Sequence, residues 1–371
     1  MSNTSNNERR VKASFIALDS YVQKNIPKPV ETPQKESFTR WGIDNKYPDY
    51  LLGLYNRSAT LRAAIDACVD YIVGDDVLFR NEPDKVVNLA GDTARDVTRW
   101  CAQDLKQTGG FALEVIRDLL GEIAEVYHID VRFLRSNADN TAFWYSEKWG
   151  SNKKPVIMPA FMPGLEWSKL DEDARARAAS SIFFYKETRT QTYPVPCYYA
   201  SIPSCEIEAN IDDFHLNSLE NGFTSSAMIT FLNGMPSDEE KAELERNVLE
   251  KDSGHQNAGR VILNFADDRD HAVQVDEFKV EDFGERYQAL EKSARQKIFT
   301  AFRANPNLFG IPTESLGFSS EEYGEAFKLF NRTQIRPAQR AITDAFTKIY
   351  GETVLTIKPF TLEGETETNV N

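Results

Sequence analysis

Only four of the 371 residues are cysteine, Cys68, Cys101, Cys197 and Cys205, and no two of them form a CxxC pair. That gives no framework of structural disulfides and excludes a cysteine-rich zinc module. Histidine is as scarce: His128, His215, His255 and His271 lie far apart, and none opens an HExxH or HxH pattern. No metal site and no cofactor are therefore expected. The chain lacks an apolar run of membrane-spanning length, and its first residues, MSNTSNNERR, hold no apolar signal core. It reads as a soluble cytoplasmic product. Basic residues are outnumbered, 43 Lys and Arg against 57 Asp and Glu for a formal charge of -14. This argues against an outer surface that grips phosphate backbones, yet it is compatible with nucleic acid that slides past unheld.

Catalytic signatures are missing too. "SGHQNAGR" at 253–260 has two glycines and an arginine but no GK[ST], so it reads as a turn rather than a phosphate loop. Neither GxGxxG nor a serine nucleophile elbow occurs. The doublets Asp75-Asp76, Asp212-Asp213 and Asp267-Asp268 read as solvated carboxylates at turns and on a helix. Their rival reading is a carboxylate-based, metal-assisted hydrolase in which they converge with Glu114 in a cleft. No residue otherwise recommends itself for catalysis, and the chain is expected not to be an enzyme.

What is present is an alternation of helical and extended patterns, predicting an α+β fold. Residues 1–40 are rich in Asn, Ser, Lys, Pro and Thr and read as a flexible arm. Leu61, Ile65, Cys68 and Ile72 repeat at helical spacing up to Gly74, and a second helix covers 97–105 with Trp100 and Cys101 inward. "FALEVIRD" and "EIAEVYHIDVRFLRS" alternate as paired strands. From 137 to 199 short strand-like runs, "YPVPCYYA" among them, stand between proline and glycine turns and suggest a β-rich insertion. A helix follows, carrying Ile207, Ile211, Phe214 and Leu219. Two strands, "AMITFLNG" and "RVILNF", flank a helix announced by the capping box of Ser237 and Glu240. "AVQVDEF" reads as one more strand.

Phe283, Tyr287, Leu290, Ala294, Ile298 and Phe302 then draw one long apolar stripe. The segment "NPNLFGIPTESLG" interrupts it, because Pro306, Gly310, Pro312 and Gly317 discourage helix. Ser319 and Glu322 form a second capping box, and a helix with Tyr323, Phe327, Phe330, Ile342, Phe346 and Ile349 inward runs to Tyr350, kinked at Pro337. Such aromatic stripes read as core.

The order of these pieces resembles a phage portal protein of the HK97/PBSX type. The resemblance is carried by "FLNG" at 231–234, "GHQNAGR" at 254–260, "PNLFG" at 306–310 and "TQIRP" at 333–337, each between the expected helix or strand. The family implies a ring, a dodecamer, through which double-stranded DNA is packaged and ejected at one capsid vertex. It implies a wing at 41–136 and 223–305, a clip at 137–199, a stem helix at 200–222, a tunnel loop at 306–319 and a long kinked helix at 320–350. The remaining 351–371 is a short acidic segment, too short for the helical crown of larger portals. On this resemblance Leu308, Phe309, Ile311 and Leu316 face DNA, and Lys297, Arg303 and Arg332 offer transient phosphate contacts. The implied partners are other copies of the chain, double-stranded DNA, the terminase large subunit, a head-tail adaptor, and the major capsid and scaffold proteins. The implied location is the virion, with host cytoplasm during assembly. A further reading is another oligomeric virion component, such as a head-tail adaptor, which would lack the long kinked helix.

Overall fold

The computed structural model describes residues 27–33, 38–151, 153–188, 191–220, 228–231, 262–265, 283–309 and 320–361. β1 (Glu31–Pro33) pairs antiparallel with β2 (Thr39–Trp41), which draws part of the stretch expected as an arm into the body. Trp41 is fully buried and lies flat on Tyr193, ring centroids 4.5 Å apart. α1 (Tyr47–Arg57) has Pro48 in its first turn, where a missing N–H leaves nothing unsatisfied. Ser58 then serves two helices. Its N–H donates to the Leu54 carbonyl at 2.9 Å and closes α1, while its hydroxyl accepts from the Leu61 N–H at 3.2 Å and opens α2 (Ala59–Val73). The expected stripe of Leu61, Ile65, Cys68 and Ile72 is buried. Gly74 ends the helix at φ 66°, and a Cβ there would stand 2.0 Å from the Lys358 carbonyl oxygen, so the stop also admits the C-terminal strand.

β3 (Asp76–Phe79) and β4 (Glu82–Pro83) form a hairpin. α3 (Ala94–Thr108) opens with a reciprocal capping box between Thr93 and Asp96. Val97, Cys101, Ala102 and Leu105 make its buried face and leave position 100 at the rim; Trp100, expected inward, is 39% exposed and leans on the His128 ring. β5 (Gly110–Arg117) and β6 (Ile123–Ile129) pair antiparallel as the alternation predicts. β7 (Leu134–Ser136), β8 (Ala142–Tyr145) and β9 (Val156–Pro159) form a meander. α4 (Glu172–Ala178) follows, capped by the Asp171 side chain on the Ala174 N–H at 2.7 Å. β10 (Ser180–Lys186) then returns to the other edge of β5, so the 137–199 stretch shares a sheet with the segment before it. "YPVPCYYA" is not the expected strand. Pro194 and Pro196 remove two backbone donors, and the segment turns into a short 3₁₀ helix at Tyr199–Ser201 instead. The Tyr193 and Tyr198 hydroxyls tie it down on the carbonyls of Thr39 and Gln107.

α5 (Ile202–Glu220) matches the helix read from the sequence, although Phe214 is half exposed and stacks on Tyr287. β11 (Met228–Phe231) and β12 (Ile262–Phe265) are a parallel pair. The Ser237 helix and the "AVQVDEF" strand lie outside the described residues. α6 (Phe283–Phe302) precedes a 3₁₀ turn at Pro306–Phe309. α7 (Ser320–Phe330), a π-helical turn at Asn331–Ile335 and α8 (Arg336–Tyr350) form one continuous helical stretch. β13 (Leu355–Lys358) closes the chain antiparallel on β3. One hydrophobic core gathers residues from Trp41 to Leu355, with α2 the largest contributor and α3, α8 and β5 next. Among the described residues no helix is long and apolar enough to cross a membrane.

A single carboxylate joins three of these helices. Glu208, on α5, is 3% exposed. It accepts from the hydroxyls of Ser58 and Thr60 and from the Thr60 N–H at 3.3 Å, all at the first turn of α2. Arg295 of α6 stands 3.9 Å away. A buried anion at a helix N-terminus satisfies donors that have no intrahelical acceptor and meets the positive end of the helix dipole. Glu208→Ala leaves those donors buried and unpaired, and is expected to lower unfolding free energy by about 2–3 kcal/mol. A urea midpoint unchanged from wild type would remove this role.

Candidate functional site

The segment read as a tunnel loop starts where the α6 stripe ends. Ala294, Ile298, Phe299 and Phe302 are buried along one face, and Phe302 stacks on Tyr198 at 5.8 Å. Arg303 turns the chain out of the helix at φ 52°. Asn305 then restarts it as a 3₁₀ turn, its side chain accepting from the Asn307 N–H at 3.1 Å and its carbonyl from the Leu308 N–H at 3.0 Å. Tyr71 of α2 donates its hydroxyl to the Leu308 carbonyl at 2.6 Å. Burial holds that phenol above its ordinary pKa, so it stays a donor.

Aromatic packing continues from there into the next helix. Phe309 stacks on Phe299 at 5.6 Å and meets Phe330 edge-on at 5.8 Å. Tyr71 also touches Phe327, Phe330 and Phe360. The last described residue before 310–319 and the helix after it are thus fixed in one cluster. Both ends of that segment are anchored.

The irregularity expected at Pro337 takes the form of the π turn one turn earlier. Proline has no N–H to give the Thr333 carbonyl, and its ring crowds that carbonyl, which favours a wider turn. The Arg336 N–H accordingly donates to the Asn331 carbonyl, five residues back. Past the turn, Gln339 is buried and donates to the Ile72 carbonyl at 3.0 Å, docking α8 on the last turn of α2.

The residues singled out from the sequence are separated by this geometry. Leu308 is 4% exposed, its side chain buried in the subunit core, and Phe309 is partly buried in the cluster just described. Proline and glycine announce a break in the helix, but not which side chains tuck back beneath it. Ile311 and Leu316 lie outside the described residues. Lys297, Arg303, Arg332 and Pro337 are exposed.

The carboxylates required by the hydrolase reading are engaged separately. Asp76 pairs with Lys358 at 3.2 Å, Asp75 accepts from the Thr361 N–H at 3.1 Å, and Asp213 pairs with Arg57 at 2.7 Å. Glu114 accepts from Ser180 on the central sheet, and Asp267-Asp268 lie outside the described residues. Among the described residues no group of three His, Cys, Asp or Glu is placed to hold a metal ion. His128 bonds Asp104 at 2.8 Å, and burial raises that carboxyl above its ordinary range.

Comparison with known proteins adds to this geometry. No protein-family model and no curated protein matches the sequence. In structure the chain is similar to a protein in the neck of an empty gene transfer agent particle computed with C6 symmetry, at 16% identity over 84% of both chains and a TM-score of 0.53. It is similar to one in the neck of the native particle computed with C12 symmetry, at 15% identity over 89% of this chain and 86% of that chain, TM-score 0.51. An HK97 family phage portal protein from Corynebacterium diphtheriae aligns at 12% identity over 83% of this chain and 94% of that chain, TM-score 0.49. At such identities the likeness is one of fold. The chain has the fold of a protein from the neck of a gene transfer agent particle.

Removing the Tyr71 hydroxyl isolates the anchor before the 310–319 segment. Tyr71→Phe leaves the buried Leu308 carbonyl without its donor, a loss of about 1 kcal/mol. Amide exchange at 306–309 should accelerate roughly fivefold while exchange in α3 stays as it was. Equal protection in both proteins would show that the aromatic packing alone holds the segment.

Proposed function

We propose that this chain is the subunit of a portal ring, the channel at one capsid vertex through which double-stranded DNA is packaged and later released. The observation that carries the reading is the likeness of fold, across 89% of the chain, to a protein of a particle neck computed with C12 symmetry. The continuous stretch from Ser320 to Tyr350 with its π turn is the part that a head-tail adaptor or other virion component was expected to lack. In this reading twelve copies meet head to tail so that the ring closes. The wing comprises 41–136 and 223–305, the clip 137–199, and α5 lies in the stem. Hydrolysis of ATP belongs to the terminase large subunit, which docks on the clip and is replaced there by a head-tail adaptor.

DNA passes the 310–319 segment, with Ile311 and Leu316 as its apolar contacts and Lys297 and Arg303 touching phosphates briefly. Weak contact suits such passage, because an acidic chain repels the duplex and no position holds it strongly enough to stall movement. The subunit performs no catalysis.

Native mass spectrometry with negative-stain imaging of the purified chain tests the ring directly. Closed rings with a central hole, twelve-fold or near it, are expected; a particle that stays monomeric at every concentration, alone or with capsid and scaffold proteins, contradicts the reading. Within assembled rings, deletion of 311–316 should leave the ring intact and reduce DNA packaging or retention. Unaltered packaging would take the tunnel role away from this segment.

A further inference from the structure

The exposed face of the long helix carries a line of cations with no acid among them. Lys328, Arg332, Arg336 and Arg340 recur every four residues, and all four are exposed. At 1.5 Å per residue they span about 18 Å along the axis. The π turn helps keep them aligned. Four residues of α-helix advance a side chain beyond one full rotation, while a wider turn falls short of it, so the two deviations offset each other across 331–335.

Several cations elsewhere in the chain are paired with a nearby acid. Arg62 pairs with Asp66, Arg295 with Glu291 and Lys169 with Glu166, each within one turn. On this helix Lys328 has Glu325, at 3.6 Å, but Arg332, Arg336 and Arg340 have no ion-pair partner among the described residues. Like charges one turn apart destabilise a helix. The helix dipole does not account for them either, since it acts within the last turn and these residues lie well before Tyr350. Asp344, exposed one turn past Arg340, is within ion-pair distance of none of them, so solvent alone screens the three arginines and they are free to meet an anion from outside the subunit.

Which anion is indicated by the neighbouring row. Leu329 is 66% exposed beside the arginines, and Pro337 is exposed one turn beyond Thr333. Apolar side chains flanked by arginine are the composition of a protein interface, whereas a surface for phosphates gains nothing from an exposed leucine. The chain itself carries a formal charge of -14, so a second copy supplies the opposite charge.

We infer that the face formed by Leu329, Arg332, Arg336 and Arg340 docks on the acidic surface of the neighbouring copy. The inference rests on the ring reading above and deepens it, assigning this helix to one side of a head-to-tail contact. Such a contact joins two different faces, so each subunit uses its arginine face once and its acidic face once.

The test compares the full chain with Arg332→Glu/Arg336→Glu/Arg340→Glu by native mass spectrometry and imaging at matched concentrations. The triple variant should keep the wild-type thermal unfolding profile and lose ring yield by more than about tenfold. Wild-type assembly should also weaken as salt rises. Mixed with wild type before assembly, the variant should lower the yield of rings, because its intact acidic face still recruits a neighbour that its own helix cannot pass on. Should the triple variant fail to fold, Arg336→Glu alone carries the comparison. Variant rings at wild-type yield overturn the inference and leave the portal reading standing. Wild-type yield combined with weakened binding of a duplex oligonucleotide assigns the face to nucleic acid instead, which also overturns it. A wild-type chain that never assembles defeats the portal reading and the inference together.

Discussion

The Glu208 carboxylate is the constraint on which the helical part of the subunit depends. A charged group taken out of water must be met by donors or it destabilises what surrounds it. Here the donors come from the first turn of α2, with Arg295 of α6 nearby, so burying one side chain on α5 fixes three helices at once. α2 cannot start without the Ser58 and Thr60 groups that Glu208 engages. α5 cannot move away without exposing its anion to unsatisfied donors. The helix read as the stem therefore leaves the body from a fixed point, and α6 is held beside it.

From that point the geometry passes to the aromatic cluster. α2 presents Tyr71 at its far end, and Tyr71 holds both the turn at 306–309 and the helix that begins at 320. Gln339 adds a second tie between α8 and the carbonyl of Ile72. The consequence is a segment, 310–319, whose two ends are set by buried contacts of the same helix.

The parts of this arrangement legible in the sequence are those written as spacing. Leu61, Ile65, Cys68 and Ile72 announce α2, and the alternation after Gly110 announces β5 and β6, because burial on one face imposes a period. α4 has no buried residue, hence no stripe, and it escaped notice although Asp171 is a sound helix cap. Buried charges are illegible for another reason: a lone Glu or Arg reads as surface until its partners are known. Glu208 is one such residue and Arg135 is another. Its guanidinium, fully buried between Trp41 and Trp149, donates to the Asn45 side chain and carbonyl at 2.5 and 2.6 Å, and burial brings its pKa down to about 10. Leu308, expected on the channel side, is buried, and Phe309 is partly so. Their loop was legible, but a loop can bury apolar side chains as firmly as a helix does.

The same separation of period from partner bears on charge. A net value of -14 describes the chain as a whole and is silent about where its cations stand. On α1, α2, α3 and α6 cations are engaged by acids one turn away or on a packed neighbour, such as Arg62 by Asp66 and Arg99 by Asp70. On the long helix Arg332, Arg336 and Arg340 have no such pair among the described residues, and the turn beside Pro337 holds them in register rather than letting them drift around the axis. A line of one sign on a chain of the other net sign is directional: it repels its own image on a like copy and attracts acidic surface. Repulsion between matching arginine faces disfavours a two-fold pair and favours the head-to-tail contact that closes a ring.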